Sequence, residues 1–146
     1  MTYQTPTVDL RLHLIAEGVV PAGQVFVNSL PDFSSLSSNI DYLVCVKAST
    51  GLANPKWLRD EWFVAFQVLG RDRSKSQIAE AKIWEIFNVM IGSPNVEIGD
   101  VVYLQFNSSS MPQFMGSLDN SQPLYSTTIN FVAEGLKEVG NRQPLC

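Results

Sequence analysis

Between Glu61 and Ile91 a strand, a charged turn and a helix follow one another directly, and this succession constrains the fold more than any other stretch. Trp62-Phe63-Val64-Ala65-Phe66-Gln67-Val68-Leu69 is apolar enough to be a central strand. Gly70-Arg71-Asp72-Arg73 breaks it, and Ser74 opens an amphipathic helix. Ser74 and Gln77 have capping-box spacing, so each side chain can satisfy an orphan backbone donor. Ala79, Ile83, Ile86, Phe87 and Met90 form the core stripe of that helix, and Gly92 and Pro94 end it. Trp84 and Ile91 lie one heptad apart and off the stripe, as flank packing or as an outward apolar patch. No catalytic constellation accompanies the unit, which reads as scaffold.

The rest of the chain supplies partners for that strand. Thr5 can cap a first helix with Pro6 at its first position, where a missing N–H costs nothing. Val8, Leu12 and Ile15 fall on one face of it, Leu10 and Leu14 on the far side, and Gly18 ends it. Strands are expected at Gln24–Asn28, at Ile40–Ala48 with Tyr42, Val44 and Val46 on one face, and at Val101–Phe106. A last strand runs from Tyr125 to Glu134, with Tyr125, Thr127, Ile129 and Phe131 alternating against Ser126, Thr128, Asn130 and Val132. A Ser-rich loop (Leu30–Asn39), a second loop (Ser49–Asp60) and a long polar connection (Asn107–Pro123) join these elements, and the tail 135–146 is expected to be loose. The expected fold is α+β: one domain over 1–146, with a single, mostly antiparallel sheet of about five strands and two helices on one face. Ile83, Phe87, Val64, Phe66, Leu104 and Phe131 are the expected shared core.

Composition narrows the function. Ten basic against 14 acidic residues give a net charge of −4, which disfavours a nucleic-acid grip built from clustered Lys and Arg. A charged fraction of only 16% suits a chain that hides part of its surface in partners. Cys45 and Cys146 follow no metal or redox spacing. Cys45 reads as a small buried hydrophobe, Cys146 has no assigned role, and a reducing, cytoplasmic setting for assembly is expected. No basic-then-apolar leader and no long apolar run is present, so neither signal peptide nor membrane span is expected.

Chemistry is sparse. His13 is the only histidine, and one His with two distant Cys cannot build a standard zinc site. No cofactor is expected. Arg71 and Arg73 at the strand-to-helix turn could hold an anion, but the P-loop pattern is missing. A solvated turn or an inter-subunit ion pair is the favoured reading. Glu80, Lys82 and Glu85 alternate in sign on an exposed helix face. Met111, Phe114, Met115 and Leu118 form an apolar set within the polar connection, either folding back on the core or acting as a partner-docking arm.

Three stretches resemble the tail terminator (tail completion, or minor capsid) proteins of long-tailed bacteriophages. The first is the N-terminal helix with Gly18-Val19-Val20 and a short strand running into Leu30-Pro31-Asp32. The second is Trp62–Leu69 leading through Gly70-Arg71-Asp72 into Ser76-Gln77-Ile78-Ala79-Glu80-Ala81-Lys82. The third is Phe114-Met115-Gly116-Ser117-Leu118-Asp119 before Tyr125-Ser126-Thr127-Thr128-Ile129-Asn130-Phe131. The turn reads Gly-Arg where Arg-Gly is commoner in the family, and no Lys or Arg stands between Asp119 and Tyr125.

The resemblance implies a structural virion protein without enzyme activity. It would form a homo-oligomeric, six-fold ring at the head-proximal end of the tail, stopping polymerisation of the tail tube protein and joining the tail to the head connector protein. DNA would pass through the lumen without tight binding, which an acidic chain suits. Trp57, Trp84, Ile91, Arg71 and Arg73 are candidates for the subunit interface, and Met111, Phe114, Met115 and Leu118 for a tube or connector docking loop. The alternatives are a head-completion or connector ring protein and, from another class, a small-molecule-binding or hydrolytic α+β enzyme. The enzyme would need a pocket with convergent polar groups, and the sequence offers no nucleophile–base pair for one.

Overall fold

The computed structural model describes residues 6–48, 61–93, 95–98, 101–118 and 121–135. Two helices, α1 (Pro6–Ala16) and α2 (Ser76–Gly92), accompany six strands: β1 (Val25–Val27), β2 (Tyr42–Ala48), β3 (Glu61–Gly70), β4 (Asn95–Ile98), β5 (Val101–Leu118) and β6 (Gln122–Gly135). The fold is α+β, with one sheet in the order β1-β2-β3-β6-β5-β4. Thr5, Trp57, Pro94, the Gly99-Asp100 turn, the loop 49–60 and the tail 136–146 with Cys146 lie outside the described residues.

Strand alternation sorts the sheet into two faces. The pairs Val44↔Val68, Val46↔Phe66, Val64↔Ile129 and Phe66↔Thr127 put these residues on one side. There they form a single buried cluster with Leu10 and Leu14 of α1 and with Ala79, Ile83, Ile86, Phe87 and Met90 of α2. Both helices therefore cover the same face, and the α2 stripe is the one the sequence spacing predicts. On α1 the buried side is that of Leu10 and Leu14, while Leu12 is exposed.

The other face carries a second, smaller core. Leu43 and Leu69, directly paired, are buried with Phe33, and Phe26, Leu30, Leu36, Ile40 and Leu124 pack around them. This explains the one parallel pairing, β1 with β2. Residues 28–41 cross over the second face, and a parallel pair needs a crossover of about a dozen residues or more.

The structure corrects four expectations. The sheet has six strands rather than about five, because Asn95–Ile98 forms β4 against Val101–Leu104. Asn107–Pro123 is not a loop: β5 continues to Leu118 and pairs with β6 from Asn107↔Asn130 to Leu118↔Gln122. Its Ser, Asn and Gln residues imitate a loop in composition because the strand lies at the rim, where polar side chains stay hydrated. Leu104 is only half-buried, and Tyr103 and Phe106 take the core positions instead. Gln105 sits at φ 56°, within a register shift between Leu104 and Asn107, and this bulge reverses which residues point inward. Finally, the Ser74–Gln77 capping box gives way to a 3-10 turn at Arg73–Lys75, in which Asp72 accepts from the Ser74 backbone N–H (2.9 Å) and hydroxyl (2.6 Å).

Candidate assembly interface

Arg71 enters from the end of β3, where its backbone N–H donates to the Asp41 carbonyl oxygen at 2.9 Å. Its guanidinium donates to the carbonyl oxygens of Ile40 (2.8 Å), Ser37 (2.9 Å) and Phe33 (3.4 Å), and lies 5.3 Å from the Phe33 ring centroid. One planar fork thus ties the 28–41 crossover to the sheet, a task that uses the rigid donor geometry of Arg. Arg73, two residues on, is exposed. Asp72 between them is held below the usual carboxylate range by the Ser74 hydrogen bonds.

On α2, Trp84 and Ile91 are 38% and 37% exposed, off the buried stripe as their spacing requires. The Trp84 ring meets Phe87 edge-on at 5.7 Å, so a core residue steadies it while its outer surface faces solvent. Lys82, on another side of α2, donates to the Val19 carbonyl oxygen and to Glu85 Oε1, each at 2.7 Å, and lies over the Tyr42 ring. Its charge is therefore satisfied within the chain.

Met111, Phe114, Met115 and Leu118 all lie on β5, between 51% and 56% exposed. Phe114 pairs with Tyr125, their rings 5.4 Å apart, and the Tyr125 hydroxyl lies 2.9 Å from Ser76 Oγ at the start of α2. The set forms part of the sheet rim, neither a free arm nor a flap over the core. Leu12, Trp62 and Ile78 are further exposed apolar residues that sequence reasoning missed. Trp62 shares strand alternation with the buried Val64 and Phe66, so no pattern could set it apart.

Buried polar groups serve the scaffold. Asp9, 2% exposed, accepts a hydrogen bond from the Tyr103 hydroxyl, joining α1 to β5. Burial raises the Asp9 pKa and the Tyr103 bond partly offsets this, while burial and the facing carboxylate raise that of Tyr103. His13 is half-buried with Nε2 3.4 Å from Ser93 Oγ, and burial lowers its pKa against the opposing pull of Glu17. Burial likewise raises the Cys45 thiol. Among the described residues no group of three or more His, Cys, Asp or Glu could hold a metal ion, and no helix is long and apolar enough to cross a membrane.

The geometry therefore offers exposed apolar side chains in groups on α2 and β5, and singly on α1 (Leu12) and β3 (Trp62). A family model described as bacteriophage tail terminator protein matches residues 13–134, from within α1 to the last residues of β6. No curated protein matches the chain.

Proposed function

The chain belongs to the bacteriophage tail terminator family, and from that premise we propose that it assembles as a ring, six-fold by the family resemblance, on the head-proximal end of the tail tube. There it ends tube polymerisation and provides the surface that meets the head connector. The observation that carries this reading is the family match, which takes in the whole sheet and α2. Exposed apolar side chains on α2 and β5 support it, because a ring must bury surface on each subunit. The acidic balance also supports a lumen that lets DNA pass, since tight binding needs several phosphate contacts. In this reading the protein is a structural part of the virion tail, assembled in the host cytoplasm, and performs no catalysis.

Sedimentation and negative-stain imaging of the pure protein test the reading. Closed rings with a central hole are expected. A monomer at every concentration, alone and in the presence of tail tubes, would overturn it.

A further inference from the structure

The two rims of the sheet are built differently. At the β1 rim, Arg11 donates from Nε to the Val25 carbonyl oxygen (2.8 Å) and from Nη2 to that of Ala22 (3.0 Å). β1 is only three residues long. A short strand with a carbonyl already taken by a side chain offers little to another chain.

The opposite rim is long and uncharged, and side chains take only isolated carbonyls along it: Asn107 Nδ2 donates to that of Gln105 (2.9 Å) and Ser110 Oγ to that of Met111 (3.3 Å). β4 pairs only with Val101–Leu104, so from Gln105 to Leu118 β5 has β6 on one side and, among the described residues, no strand on the other. All 18 residues of β5 are uncharged, the longest stretch of the chain without Asp, Glu, Lys or Arg. Exposed edges in soluble proteins are commonly guarded by charge, Lys above all. This one carries Met111, Phe114, Met115 and Leu118 instead. Left bare, such apolar side chains invite aggregation, which favours a cover for them.

We infer that the Gln105–Leu118 rim of β5 is the seam between copies of this chain, seating the Trp84–Ile91 flank of α2 from the next copy. The inference rests on the ring reading above. A ring closed by rotation joins two different surfaces of each subunit, and the rim and the α2 flank are apolar surfaces on separate elements. Copies that each carry a net charge of −4 repel, so contact is cheapest where charge is absent or sparse. The rim is uncharged, and among the described residues one turn from Trp84 or Ile91 on α2 the single charge is Glu80. The rim is also long enough. A standard interface of about 800 Å² per partner is a patch roughly 30 Å across. Fourteen strand residues at about 3.3 Å each span at least that.

The rim's irregularity selects a helix over a strand as its occupant. Register shifts interrupt the β5–β6 ladder at four places, and Pro112 has no N–H to offer. A neighbouring strand would meet no regular row of donors and acceptors. A helix flank needs only side-chain packing, which Met adapts to readily.

The full-length protein tests this in two ways. Met111→Lys combined with Met115→Lys, both at exposed positions, should weaken self-association at least tenfold by analytical ultracentrifugation while leaving the circular dichroism spectrum unchanged. The photo-crosslinking residue p-benzoyl-phenylalanine, placed at Met115, should join two copies with the attachment mapped to α2 near Trp84. If the double variant fails to fold, the crosslink decides. Rings that persist in a folded double variant, or crosslinks that reach only tube protein or sites away from α2, would overturn the seam and leave the ring reading standing. A wild-type chain that stays monomeric throughout would overturn the ring reading, and the seam with it.

Discussion

The Tyr103 hydroxyl donates its hydrogen to the buried carboxylate of Asp9, joining the middle of β5's core segment to the first helix. Burial lifts the Asp9 pKa above its ordinary value of about 3.9. The folded protein then keeps a proton that the unfolded chain has released, so this group's contribution to stability falls as pH rises through that window. Asp9→Asn should remove the fall. In urea titrations its stability relative to wild type should grow as pH rises above about 4. A stability difference that stays flat with pH would contradict the assignment. Tyr103→Phe should cost about 1–3 kcal/mol, the range for leaving a buried polar partner unsatisfied.

Gly70 ends β3 against Pro123. A Cβ built on Gly70 would sit 2.8 Å from Pro123 Cγ and 3.2 Å from Cδ, and the proline ring has little freedom to yield. Gly70→Ala should destabilise the fold by about 1–3 kcal/mol, the usual cost of overpacking. Thermal unfolding checks this, since a loss of about 1 kcal/mol lowers Tm by roughly 2–4 °C in a chain of this size. An unchanged Tm would mean that the strand end is looser than its geometry.

The bulge at Gln105 makes a paired prediction. Phe106 packs against Phe131 with ring centroids 5.4 Å apart, whereas Leu104 is half-exposed. Phe106→Ala should cost about 3–5 kcal/mol, as for other buried aromatics. Leu104→Ala should cost about 1 kcal/mol, near the centre of the range for ordinary substitutions. Equal costs in denaturant titrations would contradict the reversal of strand alternation at the bulge.

Trp84 and Arg71 separate assembly from stability. Trp84→Glu leaves the core stripe intact but puts an unpaired charge in the proposed seam, so it should abolish rings while costing the monomer only about 1–2 kcal/mol for the lost edge contact with Phe87 and its burial. Arg71→Lys loses the fork that holds three carbonyls, and should lower stability by about 1–3 kcal/mol while rings still form. Sedimentation and chemical denaturation of each variant check both halves. The reverse outcome, with Trp84→Glu unfolding the monomer, would assign Trp84 to the core.

Much of this fold is legible in the chain because its clearest elements obey one period each. The α2 stripe from Ala79 to Met90 and the Tyr125–Phe131 alternation stand in the structure as their spacing predicts. What escapes the sequence depends on context. Asn107–Leu118 reads as a loop because Ser, Asn, Gln and Pro dominate it, yet pairing with β6 makes it a strand. Leu104 and Phe106 read as one face of a regular strand, and the bulge at Gln105 turns only Phe106 to the side where Val101 and Tyr103 are buried. Arg71 and Arg73 look alike in sequence, and only the position of the 28–41 crossover gives one of them three carbonyl partners. Trp84 and Ile91 can be picked out by their poor fit to core periodicity, and the Met111–Leu118 set as apolar residues in a polar stretch; all of them are exposed. Their partners are not legible, because an interface adds no pattern to a single chain.

Tube lengths in polymerisation reactions of the tail tube protein, measured with and without this chain, decide whether it ends a growing tail tube. Added protein should stop further growth, with gold-labelled protein found at one end of each tube. Unchanged growth, or label scattered along the tube wall, would contradict the account.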